Sequence, residues 1–296
     1  MDSSFSLESK TVKFAVNLKM MIKNSLQISI LFLLLAIAGT GCKFRKIQKS
    51  GDWKVKYEAA LKYYEEKDFY RSGILLEEIL PIIRGTEEAE LANFYYAYTY
   101  FYQGQYILSA HHFKTFSQVY GRSAYVLESD YQHANSLYMQ SPASSLDQTS
   151  TYEALTSLQQ FLNKYPYSDY SEKADQQIDE LQIKLERKAY ENAKLYYKLK
   201  RFKAAIVAFD NFQLDYPDSK YREEIAFLAI QTIYDLAKIS IVSKQEERFR
   251  DTIQKYEKFV DRYTQSKYLK DAEKFYAESI EQLRTFADQK TKEINN

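Results

Sequence analysis

Tyr216-Pro217-Asp218-Ser219-Lys220-Tyr221 is one of four versions of a six-residue pattern that recurs along this chain. The other versions are YGRSAY at 120–125, YPYSDY at 165–170 and YTQSKY at 263–268. Pro and Gly end helices, and a serine can accept a hydrogen bond from a free amide at the start of the next helix. Because each version lies between two amphipathic runs, we predict that each forms a helix–helix junction, with its two tyrosines as hydrophobic anchors.

A second pattern places small and large residues at fixed offsets along the same chain. In its clearest copy these residues are Ala193, Tyr196, Phe202, Ala205, Phe209 and Pro217. Similar offsets recur between about Trp53 and Ile83 and between about Glu87 and Tyr120. Small residues fit where two helices cross closely, and large residues fill the gaps between helices. The pattern resembles the tetratricopeptide repeat, which implies an all-α solenoid of about five helix pairs plus a C-terminal capping helix.

Two stretches depart from the regular repeat in the middle of the chain. The third pair is interrupted by residues 141–148, which are rich in turn formers. Such loops often carry function, although an insertion can also simply be tolerated. After it, Ser171 to Lys200 contains no Gly or Pro and keeps a helical spacing of apolar residues. We therefore predict one long helix that joins the third and fourth pairs.

The C-terminal part continues the repeat with two variations. The fifth pair spans about Glu223 to Tyr263, and we predict a lengthened turn around Ser240 to Gln245 between its helices. Lys267 to about Ala287 is more polar, as a capping helix should be, and Asp288 to Asn296 should fray. The predicted divisions are the N-terminal repeats 53–170, the long helix with the C-terminal repeats and cap 171–288, and the tail 289–296.

The start of the chain is typical of a secretion signal. Residues 21–41 pass from a basic start through an apolar run, too short for a comfortable membrane span, to small residues before Cys42, the only cysteine. This order resembles a bacterial lipoprotein signal, although Gly39 stands where such signals usually have Leu, and it implies lipid attachment at Cys42. The alternative is a plain secretory signal with an incidental cysteine. We interpret residues 1–20 as a mis-assigned start extension and residues 42–52 as a lipidated tether.

Composition and spacing argue against an enzyme. The net charge of +1 creates no field that favours nucleic acid, so we predict no nucleic-acid binding. The histidines are His111, His112 and His133, and adjacent residues on a helix face different directions, whereas a helical metal site places its histidines four apart. The sequence has neither a Gly-rich phosphate loop nor a GxSxG elbow. We therefore predict no catalytic residue, no metal and no cofactor.

Aromatic residues recur on one face of the first helix of each pair. The first helix of each of the first three pairs contains one small residue at a helix crossing, Ala60, Ala97 or Ala134, which serves as the reference alanine. Three residues before and four residues after it lie Tyr57 and Tyr64, Phe94 and Phe101, and Tyr131 and Tyr138. Because the two rings of a pair are seven residues apart, they share one helix face. In a tetratricopeptide array this face lines the concave groove, where a ladder of rings can grip an extended peptide. The alternative is that the rings pack inside the superhelix.

The combination of signal, repeats and junctions resembles one family more narrowly. FLNKYPYSDY at 161–170, LERK at 185–188 and AAI at 204–206 follow one another as in the BamD family of outer-membrane assembly lipoproteins, over about Cys42 to Ala287. Gly121 and Thr264 at the breaker position depart from the family pattern. The resemblance implies a scaffold on the periplasmic face of the outer membrane. Its C-terminal repeats would bind the barrel insertase BamA, and its N-terminal repeats would receive unfolded outer-membrane β-barrel proteins.

The C-terminal half also carries a basic face that suits a folded, partly acidic partner. Its residues are Arg187, Lys194, Lys198 and Arg201. The alternative is that these charges are merely solvated. Two other functions remain open at this stage: a periplasmic tetratricopeptide scaffold of another envelope pathway, which usually has a coiled coil before its repeats, and a SusD-type glycan-binding lipoprotein, which is usually much longer.

Overall fold

The computed structural model describes residues 43–294, and over these residues the chain is all-helical, without a strand. In chain order the helices with full bounds are α1 (Trp53–Glu65), α2 (Phe69–Ile79), α3 (Glu88–Tyr102), α4 (Tyr106–Val119), α5 (Val126–Gln140), α6 (Thr149–Lys164), α7 (Ser171–Lys198), α8 (Phe202–Asp215), α9 (Arg222–Lys238), α10 (Val242–Arg262) and α11 (Leu269–Ile294). Helices that follow one another in the chain pack together from α1 to α4 and from α6 to α11, which confirms the predicted all-α repeat fold. Cys42, the signal 21–41 and the extension 1–20 lie outside the described residues.

The described chain divides into two compact units, residues 43–139 and residues 140–294. The first unit contains the first two helix pairs and nearly all of α5, and the second contains α6 to α11. This boundary follows the packing, whereas the predicted division after residue 170 follows the repeats and stays a prediction. The small residues predicted at helix crossings are fully buried or nearly so, at Ala60, Ala97, Ala134, Ala193 and Ala205.

The first tyrosine of each six-residue junction ends a helix. Its amide donates to the carbonyl of a phenylalanine four residues earlier, at 2.8–3.0 Å in all four versions. Its ring packs against the same phenylalanine, with centroids 5.0–5.4 Å apart. The pairs are Phe116–Tyr120, Phe161–Tyr165, Phe212–Tyr216 and Phe259–Tyr263. The predicted role of this tyrosine as a hydrophobic anchor is confirmed.

The serine of the junction makes two hydrogen bonds in three of the four versions. Its Oγ accepts from the amide of the second tyrosine at 3.0 Å. It also donates to a glutamate on an earlier helix, at 2.5–2.6 Å, in the pairs Ser123–Glu90, Ser219–Glu186 and Ser266–Glu223. In the second version Ser168 instead contacts Ser171, with the two Oγ atoms 2.9 Å apart. The serine therefore caps the turn just before the next helix and also ties it to the preceding repeat.

The second tyrosine stacks on a ring from an earlier helix. Tyr125 lies on Phe94 with centroids 4.7 Å apart, and Tyr221 lies on Tyr190 at 4.0 Å. In the last version Tyr268 lies on Phe227 at 4.7 Å with the rings 10° from parallel. Each of these three junctions is thus held by one tyrosine that packs on its own helix and by a second that packs on a helix of the neighbouring pair.

The turns inside three helix pairs share a left-handed residue. Lys67, Gly104 and Lys200 have φ of 60°, 73° and 56°. The residue after each donates its amide to a carbonyl five residues earlier, at 2.8–2.9 Å, and the left-handed residue donates to a carbonyl three residues earlier. This is the hydrogen bonding of a helix end closed by a left-handed residue, a position at which glycine is usual.

Four expectations about local structure differ from what is observed or need new bounds. The long helix is confirmed and ends at Lys198, close to the predicted Lys200. The turn of the fifth pair is not lengthened, because α10 begins at Val242 and contains most of the stretch predicted as turn. The last helix continues to Ile294, through residues that we expected to fray. Residues 43–48 are helical and pack against the first pair, so this stretch is not a free tether.

Candidate functional site

An aromatic face covers part of the first unit, where α1, α2 and α3 meet. Six rings form it: Tyr64, Phe69, Tyr95, Phe101, Tyr102 and Tyr106. Tyr64 lies 4.4 Å from Tyr95 and 5.4 Å from Phe69, and Phe69 stacks on Tyr102 at 4.4 Å and 20°. Tyr106 meets Phe101 edge-on at 5.6 Å. Tyr102 is 51% exposed and the other five are half-buried, so the rings form one partly open surface.

The hydroxyl groups of Tyr64 and Tyr95 stay neutral. Burial raises the pKa of Tyr64, with smaller contributions from Tyr102 and Tyr95. Burial also raises the pKa of Tyr95. Below the face, the Tyr98 hydroxyl donates to Glu128, and burial followed by that hydrogen bond raises the pKa of Tyr98. The face therefore offers ring surface together with neutral hydroxyl donors and acceptors.

The six rings predicted to line a groove separate into two groups. Phe94 is 4% exposed and Tyr131 is 1% exposed, so both are core residues. Tyr57 is half-buried against the core of the first pair, and burial raises its pKa. Tyr64 and Phe101 belong to the aromatic face, and Tyr138 is half-buried on α5. In the second and third pairs the ring four residues after the reference alanine thus lies nearer the surface than the ring three residues before it, whereas in the first pair both rings are half-buried.

Four rings of the aromatic face escaped the sequence argument: Phe69, Tyr95, Tyr102 and Tyr106. The signal that could have found two of them is the run FYYAYTYFY at 94–102, which contains seven aromatic residues in nine. A helix with rings on every side cannot bury all of them against one partner, so some must lie at the surface. Phe69 and Tyr106 are the first residues of the second helix in their pairs. The turns bring them close to rings at the end of α3, Phe69 to Tyr102 and Tyr106 to Phe101.

The four predicted partner-contact cations are not equivalent. Lys194 donates to Glu224 at 2.8 Å and to the Tyr190 hydroxyl at 2.6 Å. Burial lowers the pKa of Lys194, but these two hydrogen bonds outweigh burial and leave it raised. Lys194 therefore links α7 to α9 within the fold. Arg187, Lys198 and Arg201 are exposed and available to a partner.

The insertion 141–148 is ordered by its own hydrogen bonds. Gln148 is 3% exposed, and its side-chain amide donates to the carbonyls of Ala143 and Leu146 at 2.9 and 3.0 Å. Two lysines of α7 hold the loop from the other side. Lys184 donates to Ser141 Oγ at 2.7 Å, and Lys188 donates to the Leu146 carbonyl. The loop is thus a built part of the second unit, with the Leu146 side chain left exposed.

An apolar edge lies where two turns of the second unit come together. The Tyr197 hydroxyl, near the end of α7, donates to Asp235, near the end of α9, at 3.0 Å. The turns that follow these two helix ends therefore adjoin. They carry five large apolar side chains that are 50–72% exposed, Leu195, Leu199, Ile239, Ile241 and Val242. Lys198 and Arg201 lie at the same turns. Exposed apolar side chains gathered at neighbouring helix ends are typical of surfaces that bind partners.

The histidines take part in packing. His112 stacks on Tyr100 with centroids 5.0 Å apart, and burial with the neighbouring His111 lowers the pKa of His112 to about 4. His133 Nδ1 lies 2.8 Å from the Ala110 carbonyl oxygen. Within residues 43–294 no group of three His, Cys, Asp or Glu side chains is arranged to hold a metal ion.

The comparisons with known proteins match this chain to one family. None of the helices in residues 43–294 combines the length and the apolarity that a membrane span needs. The YfiO family model, described as an outer membrane lipoprotein, matches residues 50–224 and 184–286. No curated protein matches the chain. Among solved structures, the apo form of RapI is similar at 15% identity and a TM-score of 0.32, covering 86% of this chain and 93% of that one.

Proposed function

Because the chain belongs to the YfiO family of outer membrane lipoproteins, which is the BamD family, we propose that it is a lipid-anchored scaffold for the assembly of outer-membrane β-barrel proteins. The observation that supports this proposal most directly is that the two matched ranges together cover both helical units. The family is one of scaffold-type lipoproteins, and a scaffold needs binding surfaces rather than a reaction centre. The aromatic face and the apolar edge are two such surfaces.

The anchor in this proposal is a lipid on Cys42, with acyl chains such as palmitate in the outer membrane and the helical repeats on the periplasmic side. The small residues that precede Cys42 and the basic residues that follow it support this assignment. Several acyl chains hold a protein stably in a bilayer, whereas one chain binds only weakly. The anchor thus keeps the scaffold at the membrane where barrels are inserted.

The C-terminal repeats, 171–288, carry the contact with a BamA-like insertase in this proposal. The apolar edge supplies exposed Ile239, Ile241 and Val242, and the adjoining turn supplies Lys198 and Arg201. An apolar centre with a charged rim is the usual anatomy of a protein–protein interface. A folded periplasmic domain with acidic groups around an apolar patch fits this edge.

The N-terminal repeats, 53–170, receive the unfolded client in this proposal. β-Barrel strands alternate apolar and polar residues, and their aromatic residues cluster near the membrane interfaces. The rings of the aromatic face supply flat apolar area, and their neutral hydroxyls can bond with peptide groups. Such a surface accepts many sequences, as binding to varied barrel precursors requires.

The test is capture of the BamA-like protein from solubilised outer membrane by tagged variants. Ile239→Glu with Val242→Glu places charge on the apolar edge, and we expect capture to fall at least about tenfold, since central interface residues contribute about 2 kcal/mol or more each. The matched control is Ile183→Glu with Val207→Glu, which changes the same residue types at exposed positions of the second unit outside the edge. Equal capture by both variants would refute the assignment of the edge.

A further inference from the structure

The stretch that follows Cys42 is a fixed amphipathic turn. Phe44 packs edge-on against Tyr63 with centroids 5.8 Å apart, and the Arg71 guanidinium lies 5.6 Å from the Phe44 ring centroid. Ile47 packs against the buried core of the first helix pair. Gln48 donates to Glu78 at 2.9 Å. Three side chains spaced three and four residues apart therefore fasten the turn to α1 and α2.

The opposite side of this turn is basic. Lys43, Arg45, Lys46 and Lys49 are all exposed. Among the described residues none of these four forms an ion pair with a carboxylate, whereas the nearby Lys56 is paired with Glu78 at 2.5 Å. The first acidic residue after them is Asp52, whose carboxylate caps α1 by accepting from the Lys54 amide. We call these four side chains the basic face; their charge is uncompensated by the fold.

We propose that the basic face docks on the anionic phospholipid headgroups of the membrane and so fixes the orientation of the first helix pair at the surface. The inference rests on the proposed lipid at Cys42. Lys43 follows Cys42 directly and one residue spans at most about 3.6 Å, so the lipid would hold the start of the basic face at the bilayer surface. A loose tether would let the repeats turn freely. A packed turn passes the orientation of its charges on to the helices it contacts.

The charges are strong enough to decide that orientation. A Lys or Arg close to an anionic membrane surface strengthens binding roughly fivefold, and the effect fades within a Debye length of about 8 Å at physiological salt. Four such residues on one turn act together, since all lie at the attached end of the chain. The membrane is therefore favoured as the partner over an acidic protein, which would have to reach this face between the repeats and the bilayer.

Trp53 makes this docking measurable, because it is the only tryptophan and lies four residues after Lys49. The lipidated full-length protein is reconstituted in vesicles that contain a dansyl lipid, and energy transfer from Trp53 to the lipid is recorded. We expect higher transfer in vesicles of phosphatidylethanolamine with phosphatidylglycerol than in vesicles of phosphatidylcholine, and loss of the difference at high salt. Protein without the lipid at Cys42 would not enter the vesicles, so failure of the anchor is seen separately.

Two triple variants test whether docking depends on the positive charge of the basic face. Arg45→Glu, Lys46→Glu and Lys49→Glu together should reduce the docking equilibrium by more than about 100-fold and lower transfer to the level in neutral lipid. Lys43 is kept, since it adjoins the processing site. Arg45→Gln, Lys46→Gln and Lys49→Gln should give a smaller loss, and this neutral triple decides the result if charge reversal disturbs folding.

The matched control is the same change of charge on exposed residues elsewhere in the first unit, Arg84→Glu, Lys114→Glu and Arg122→Glu. The control should keep the transfer of the wild-type protein. Equal transfer in the two kinds of vesicle, or equal transfer by the basic-face triple and the control, would overturn the proposal and leave the face to a protein partner or to solvent.

Discussion

Replacing Ser219 with alanine removes two hydrogen bonds from one junction and leaves the helices that it joins unchanged. Ser219 Oγ accepts from the Tyr221 amide at 3.0 Å and donates to Glu186 at 2.6 Å. The first bond closes the turn before α9, and the second ties this turn to α7. The change therefore tests whether the junction serine holds neighbouring repeats together as well as capping a helix.

The expected cost follows from these two bonds. Loss of a serine cap costs about 1 kcal/mol. A hydrogen bond to a carboxylate contributes about 1.5–3 kcal/mol, but water replaces part of it here because Ser219 and Glu186 are only half-buried. We expect Ser219→Ala to lower the free energy of unfolding by about 1.5–2.5 kcal/mol. Ser168→Ala is the matched control, since Ser168 bonds to Ser171 rather than to a glutamate, and it should cost about 0.5–1 kcal/mol.

Urea unfolding followed by helical circular dichroism measures both variants. A double-mutant cycle of Ser219→Ala with Glu186→Gln should show a coupling of about 0.5–1 kcal/mol, because the two residues share one bond. Hydrogen exchange should show faster opening at the start of α9 in Ser219→Ala. Equal costs for the two serine variants, or no coupling to Glu186, would refute the idea that the serine joins repeats.

Three further predictions concern other parts of the molecule. Cys42→Ser should move the protein from the membrane to the soluble fraction without unfolding the repeats, and a variant that still pellets fully would contradict lipid attachment. Lys200→Gly should raise the free energy of unfolding by about 0.5–1 kcal/mol, because Lys200 has φ of 56° and glycine adopts it without strain; unchanged stability in urea would count against that. Burial raises the pKa of Glu224, but hydrogen bonds from Lys194 and Tyr190 outweigh burial and leave the pKa below the ordinary 4.5. The ionised Glu224 therefore stabilises the fold fully above pH 4.5, and this stabilisation is lost as the pH falls through the pKa of the folded state. The gap in thermal midpoint between wild type and Glu224→Gln should therefore shrink in acid, and a gap that stays constant would show that the charge of Glu224 does not stabilise the fold.

The parts of the fold that the sequence predicted are those set by local chemistry. The amide of the junction tyrosine Tyr216 donates to the Phe212 carbonyl at the end of the same helix, so this contact can be predicted from a short stretch of sequence. The long helix from Ser171 follows from the lack of Gly and Pro. Both depend on residues within one or two helical turns, where spacing in the sequence is distance in space.

The parts that the sequence missed depend on partners far along the chain. Tyr125 stacks on Phe94, 31 residues earlier, so the register between two helix pairs has to be known before that contact can be seen. This contact is also why Phe94 is core rather than groove. The packing of the stretch after Cys42 was missed because Phe44 and Ile47 look sparse in a basic segment, yet their spacing of three places both on the first pair. The apolar edge was missed because Ile241 and Val242 were counted as part of a turn.

Helix α3 shows how packing and binding compete for the same side chains. Phe94 and Tyr98 lie in the core with Phe113, while Tyr96 and Tyr100 share a hydroxyl contact of 2.8 Å on another side of the helix. Tyr95 and Tyr102 are then left for the surface, where Tyr64 and Phe69 meet them. Tyr95 also packs against the core of both helix pairs, and Tyr102 stacks on Tyr98 with centroids 5.6 Å apart, so the two rings are only partly open. Repeats are stabilised mainly through contacts with their neighbours, so the buried side of these rings contributes to folding, and their exposed side is the part that the proposed function assigns to a client.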